Sequence, residues 1–232
     1  DPDFSNATGN TVLLTLVTVP GALVVGLGLA LLANLPFKRQ WPVRLALLLP
    51  WALPLSFAGL IFAWFFHTEY GVVNDVVRRL WPGSEPTMWL LRPNWAFAAI
   101  CLTIVWKTSS FMALILLAGL QMIPKSLYEA AEVDGASKWT QFRRITLPLL
   151  RPALLPAIIL GSVWTFNMFN IIYLVSGGEP GGATDILVSE AYRWAFQRNE
   201  QYGFAAAYSV LIFFVLLAWS RVTKRLSGEE AA

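Results

Sequence analysis

Cysteine and histidine are almost missing from this 232-residue chain, which has one of each, Cys101 and His67. A single thiol excludes an intrachain disulfide, and one thiol with one imidazole makes no metal site. Cys101 reads as a small buried or lipid-facing residue, and His67 as a surface residue at the end of an apolar run. Charge is scarce too: Asp, Glu, Lys and Arg make up 13% of the residues, against about 25% in an ordinary soluble domain. No Asp or Glu falls inside the long apolar runs, which argues against a proton-coupled carrier. There is no G-x-x-x-x-G-K-[ST] phosphate loop, no H-E-x-x-H, no cysteine pair and no nucleophile–base pattern. The chain is therefore expected to bind neither ATP nor a metal, to hold no cofactor and to catalyse no reaction. The chain opens at Asp1, without Met and without a signal pattern, as expected of a truncated or processed form.

What is present is apolar: 56% of the residues are hydrophobic, 11 of them Trp. Five stretches are long enough to cross a bilayer, which takes roughly 20 residues. They are Thr11–Ala33, Val43–Phe66, Trp95–Leu120, Pro152–Val175 and Tyr202–Val222. The expected fold is an all-α, polytopic helical bundle. Basic residues alternate between its two sides. Lys38, Arg39, Arg44, Lys125, Lys138, Arg143, Arg144, Arg151, Arg221, Lys224 and Arg225 share one side. Arg78, Arg79, Arg92, Arg193 and Arg198 lie on the other, among acidic residues. The richer side is expected to be cytoplasmic, with the N-terminus outside and the C-terminus inside. Topology thus accounts for the basic residues, and no nucleic-acid partner is needed.

Several features inside the spans call for explanation. Ala22, Gly26 and Ala30 form a small-residue stripe suited to close helix packing, and Pro20 in the same span is a possible kink. Pro50 and Pro54 lie one turn apart and free backbone carbonyls, which at membrane depth requires protein or a water-filled cavity to satisfy them. A broken helix lining a pathway is one reading and a bent packing helix the other. Trp51 and Leu55 each follow one of those prolines and are expected one turn apart on one face. Lys107 sits mid-span, followed by Thr108, Ser109 and Ser110. An ammonium at that depth costs roughly 2.5–3.5 kcal/mol, so it is expected to face a pathway or to pair with an acid of a partner chain. Asn167 and Asn170, three residues apart among Trp164, Phe166, Phe169 and Tyr173, are expected to share a helix face. Amides beside aromatic rings suit a carbohydrate, and equally suit interhelical hydrogen bonds. Outside the spans, VVNDVVRRLW reads as a short interfacial helix with Trp81 and Trp89, and TDILVSEAYRWAF as a helix capped by Thr184.

One polar stretch interrupts this pattern, residues 125–148, KSLYEAAEVDGASKWTQFRRITLP. Ser126 with Glu129 reads as a capping box, Gly135 as a positive-φ stop, Ser137 as a second cap and Pro148 as the limit of the second helix. Glu129-Ala130-Ala131, three residues, Gly135, nine residues, Ile145, one residue and Leu147-Pro148 match E-A-A-x3-G-x9-I-x-L-P at every specified position. The stretch resembles the EAA motif of bacterial ABC importer permeases. The resemblance covers nearly the whole chain and is closest to sugar permeases of the maltose (MalF-like) type, through FNMFNIIYLVSGGEP and the TDILVSEAYRWAF that follows. That family usually has at least one further span upstream.

The resemblance implies a permease domain over 1–232 and a multi-pass place in the bacterial inner membrane. Its coupling loop, 125–148, would dock on a cytoplasmic ATPase through Glu129, Ala130, Ala131, Gly135, Ile145, Leu147 and Pro148. It implies a second, homologous permease chain (MalG-like), two ATPase subunits that bind the ATP and Mg, an extracytoplasmic solute-binding protein, and a sugar of the maltose or maltodextrin type. By motif position it places Trp51, Leu55, Ile104, Thr108 and Asn167 around the sugar, and the pattern of amides beside aromatic rings adds Trp164 and Asn170; Leu55 is apolar where some members carry a hydroxyl. Lys107 has no counterpart in the resemblance. A permease for glycerol phosphate, an amino acid or phosphate is the main alternative, and a secondary transporter a more distant one.

Overall fold

Residues 2–36, 40–198 and 200–227 are described in a computed structural model, with side chains as far as Val222. Lys38, Arg39 and the side chains of Lys224 and Arg225, part of the expected basic side, lie outside the described residues. The described residues form helices and connecting loops, with no strand among them. The first helix, α1 (Pro2–Ala33), runs unbroken through Pro20. It buries three hydroxyls, Thr11, Thr15 and Thr18, which donate to the carbonyls four residues back at 2.6, 2.8 and 2.7 Å. Each polar group is thereby satisfied within its own helix, as lipid requires.

Next come α2 (Trp41–Ala52), α3 (Leu55–Phe65), α4 (Val72–Leu80) and α5 (Pro93–Gln121). The polar stretch holds α6 (Lys125–Val133), α7 (Lys138–Gln141), a wide turn over Phe142–Thr146 and the single turn α8 (Leu147–Leu149). The chain then continues through α9 (Arg151–Phe166), α10 (Phe169–Val175), α11 (Leu187–Phe196) and α12 (Tyr202–Ser227). Helices α1, α5 and α12 are each long and apolar enough to cross a membrane alone. Two bent pairs pass the same test only together: α2 with α3, meeting at 91°, and Lys138–Leu149 with α9, meeting at 65°. That makes three to five candidate spans. The continuous span expected over Pro152–Val175 does not form, because the helix stops at Phe166 and restarts at Phe169.

Helix α1 lies against α5, and the small-residue stripe is the contact. Ala22, Gly26 and Ala30 are all buried. A methyl group on Gly26 would meet Met112 Cβ at 2.9 Å and the Ser109 carbonyl at 3.0 Å. One half of the bundle is cored by Leu14, Phe62, Phe66, Ile100, Ile104, Ile171, Ile172 and Ile186. The other is cored by Ala30, Leu47, Leu116, Leu120 and Leu150, with Ile145 packed on it. Large apolar side chains of α12, such as Phe213 and Phe214, point outward, as lipid-facing residues do.

The loop helix predicted from VVNDVVRRLW forms, and its buried Asn74 organises the turn around it. The Asn74 amide donates to the carbonyls of Thr68 and Thr87 and accepts from the Thr87 N–H and the Trp89 indole. The helix expected after Thr184 starts later, at Leu187, where the Ser189 hydroxyl accepts from the Ile186 N–H. Thr184 instead stitches the glycine-rich loop, bonding Ser176 Oγ and the Glu179 carbonyl. Buried Asp185 and Glu190 meet Arg193 and Arg198 at 3.1 and 2.6 Å, and Arg198 also reaches Asp3 of α1. Burial raises both carboxyl pKa values, against the pull of those arginines.

Gly26→Leu is expected to push α1 off α5 and to cost roughly 1–3 kcal/mol by overpacking. The thermal unfolding midpoint in detergent reads this out, and a midpoint equal to the native one would remove the stripe from the packing.

Candidate functional site

The site begins with a proline pair. Pro54 has no N–H to offer the Pro50 carbonyl, and it forces Leu53 before it into an extended conformation, ψ 135°. The helix breaks, and the carbonyls of Pro50, Trp51 and Leu53 lose their helical partners. Lys107 of α5 fills that gap. Its Nζ donates to Pro50 O at 2.7 Å, to Trp51 O at 2.9 Å and to Leu53 O. One turn on, Ser110 donates to Leu47 O. A cation at the C-terminal end of a helix also meets the negative end of its dipole. Lys107 is 3% exposed. Sequence reasoning weighed a pathway-facing lysine against a salt bridge to a partner chain; the structure shows it bound to backbone carbonyls of this chain.

The break opens a cavity of about 430 Å³ lined by Trp51, Leu53, Leu55, Lys107, Thr108, Trp164, Asn167 and Met168. Trp51 stacks on Trp164 with centroids 5.0 Å apart, and Phe111 contacts both, at 4.7 and 4.6 Å. The Lys107 ammonium lies 5.6 Å from the Trp51 ring. Asn167 ends α9 at the second break as an exposed amide, its nitrogen donating to the Val163 carbonyl at 2.9 Å. Wall and rim therefore combine aromatic faces, a hydroxyl, an amide and a cation, a set that can hold a polyhydroxylated ring.

Trp51, Leu55, Lys107, Thr108, Trp164 and Asn167 thus come together. Trp51 and Leu55 do so across a 91° break, not as one helical face. Ile104 does not join them; it is fully buried in the core with Leu14 and Ile171. Asn170 is half-buried on α10 and lies outside the lining. The chain leaves helical geometry at Asn167 and Met168, so the two amides do not share a face. Leu53 and Met168 were not anticipated. The residue before Pro54 was a legible signal for the first, and nothing in the pattern marked the second.

The polar stretch has its own geometry. Helix α6 starts at Lys125 directly after Pro124, which places Ser126 inside the first turn, and the predicted capping box is absent. Its C-terminus closes as a Schellman turn: Gly135 sits at φ +72°, Ala136 N–H bonds Ala131 O at 2.8 Å, and Gly135 N–H bonds Glu132 O at 3.1 Å. Ser137 caps α7 by accepting from Thr140 N–H, as expected. Pro148 does not end the helix. The wide turn before it removes the clash its ring would make with the carbonyl four residues back, and the bend comes at Leu150.

Glu132 pairs with Lys138 across the turn, and the hydrogen bond from Lys138 holds the Glu132 carboxyl below its usual pKa. Tyr128 OH meets Thr146 Oγ1 at 2.8 Å, and the Gln141 amide donates to Ala136 O. Glu129, Ala130, Gly135, Leu147 and Pro148 are exposed, while Ala131 and Ile145 are half-buried. Val133 at 89% and Trp139 at 68% exposure leave apolar surface on a polar loop. A groove of about 400 Å³ runs between Ala131, Asp134, Ala136, Thr140, Gln141, Arg144 and Ile145.

Residues 22–227 match the family described as the inner membrane component of binding-protein-dependent transport systems. The chain belongs to that family. It is therefore a multi-pass inner-membrane permease subunit of an ABC importer, and not an enzyme in its own right. Among its relatives is the sulfoquinovosyl glycerol transport system permease protein SmoG of Agrobacterium fabrum, 58% identical over 97% of this chain and 72% of that protein. Another is the trehalose/maltose transport system permease protein MalF of Thermococcus litoralis, 40% identical over 95% of this chain and 73% of that protein. A crystal structure of a bacterial ABC transporter involved in import of the acidic polysaccharide alginate superposes with a TM-score of 0.87 at 24% identity, over 99% of this chain and 80% of the other. That likeness shows the permease fold alone.

Lys107→Met is expected to leave three carbonyls of the permease unpaired at the break and to cost at least about 2 kcal/mol. A lowered unfolding midpoint that Lys107→Gln partly restores would show this; no change in Lys107→Met would mean that packing alone holds the break.

Proposed function

We propose that this permease subunit forms half of the translocation pathway for a short glycoside, imported at the expense of ATP hydrolysed by separate subunits. The observation that carries the reading is the cavity at the two helix breaks, with its stacked tryptophans, hydroxyl, amide and cation. Its volume, about 430 Å³, lies within the range of ~300–1,000 Å³ usual for small-molecule sites. Relatives named for sulfoquinovosyl glycerol and for trehalose/maltose support a glycoside of one or two rings, and the greater identity to the first favours that class over maltodextrin.

In this reading the basic-residue bias places the N-terminus outside and the polar loop in the cytoplasm. The loop docks on an ATPase: Glu129 and the apolar Val133 and Trp139 face the partner, and Gly135 holds the turn between two short helices. A second, homologous permease chain supplies the other half of the pathway, two ATPases bind ATP and Mg, and an extracytoplasmic binding protein delivers the solute. The family's description and an alginate transporter solved in complex with a pentasaccharide-bound periplasmic protein support those partners in kind.

The deciding assay is solute uptake into proteoliposomes holding the full complex, with sulfoquinovosyl glycerol and maltose as solutes. ATP-dependent uptake of either supports the reading, and uptake that persists without the ATPase subunits sinks it. Glu129→Lys and Gly135→Pro are expected to leave membrane insertion intact while cutting uptake about tenfold or more relative to ATP hydrolysis; coupling at the native ratio would remove the loop from docking. Asn167→Leu is expected to raise the solute concentration for half-maximal uptake by about tenfold, the value of one lost hydrogen bond to a bound ligand. A native half-saturation value would exclude Asn167 from the site.

A further inference from the structure

We infer that Lys107 is a specificity determinant, a fixed positive charge in the cavity wall that selects solutes bearing an acidic substituent. This rests on the glycoside-importer reading and adds the charge class of the solute. The first support is the protonation state that the geometry fits. Three carbonyls, of Pro50, Trp51 and Leu53, each receive a hydrogen bond from Nζ. A neutral amine has two N–H groups and an ammonium has three, so this set of acceptors fits the cation.

The second support is that, among the described residues, no carboxylate pairs with this charge. No Asp or Glu occurs between Asp3 and Glu69, between Glu85 and Glu129, or between Asp134 and Glu179. The helices that line the cavity, α2, α3, α5 and α9, therefore carry no carboxylate. Among the described residues Lys107 belongs to no ion pair. Carbonyl dipoles solvate the ammonium without cancelling its charge. Beside an aromatic wall and largely buried, that charge attracts an anion and repels a cation more strongly than a fully solvated lysine does.

The attraction needs no free N–H. Lys107 keeps its three carbonyls while Thr108 and Asn167 meet hydroxyls and the Trp51–Trp164 pair meets a ring face. A solute that uses all of these is a glycoside carrying a sulfonate, carboxylate or phosphate.

The test compares sulfoquinovosyl glycerol with glucosyl glycerol, the same glycoside with a hydroxyl in place of the sulfonate. Equilibrium binding is measured on the detergent-solubilised full transporter without its binding protein, so that selection by that protein does not enter. The native complex is expected to prefer the sulfonated solute by about tenfold or more. Lys107→Gln, which keeps N–H donors for the carbonyls and removes the charge, is expected to bring the two affinities within about threefold by weakening the sulfonated solute alone. Lys107→Arg should retain the preference. An unchanged preference in Lys107→Gln overturns the inference, as does equal loss of both solutes in the Gln and Arg variants, which would make Lys107 only a prop for the broken helix. Loss of assembly with the second permease in Lys107→Gln, with no change in preference, would show the charge to be neutralised by that chain and overturns it too. Failure of the native complex to bind either of these solutes or maltose would sink the glycoside reading itself.

Discussion

One ammonium holds the centre of this molecule in place. A helix broken at membrane depth exposes carbonyls that lipid cannot satisfy, and each unsatisfied group costs several kcal/mol. The break between α2 and α3 is tolerated because Lys107 takes three of those carbonyls and Ser110 takes a fourth acceptor one turn earlier. The cost of placing a lysine there is offset by the same contacts. Neither feature is stable alone, and together they fix the position of Trp51 and hence the stack on Trp164.

Around that contact the bundle uses a second device, close approach of backbones. Without water between helices, association in lipid depends on packing and hydrogen bonds. The Ala22–Gly26–Ala30 stripe brings α1 onto α5 at backbone distance, and Gly59 brings α3 onto α10. The rigid α1–α5 pair carries Lys107 on its inner side. Packing on one side of α5 thus supports the polar contact on its other side. At one end of the bundle, the ion pairs among Asp3, Asp185, Glu190, Arg193 and Arg198 tie α1 to α11.

Much of this was legible in the residue pattern. Periodicity and composition marked the helices, Pro50 and Pro54 marked the break, and Gly135 and Ser137 marked the turn in the polar loop. The failures share a physical cause. Lys107 is expected to face a pathway or pair with a partner chain, and it does line the cavity, but the carbonyls that hold it are groups which every residue has and no sequence pattern displays. Asn167 and Asn170 were placed on one face because a run of apolar residues was read as one helix, and no proline or glycine announced the stop at Phe166. Ile104 was carried over from a family motif, but a turn of α5 points it into the core. Ser126 looked like a cap because it precedes Glu129 by three, yet Pro124 already starts the helix.

The wide turn at Phe142–Thr146 and the bend at Leu150 have a mechanical consequence. They join the polar loop to α9, and α9 ends at the cavity with Trp164 and Asn167. Sixteen residues of helix make α9, a rod about 24 Å long with Pro156 inside it. Swinging that rod by about 5° displaces its far tip by about 2 Å, the scale on which a hydrogen bond is made or lost. The loop and the amide of Asn167 thus stand at opposite ends of α9.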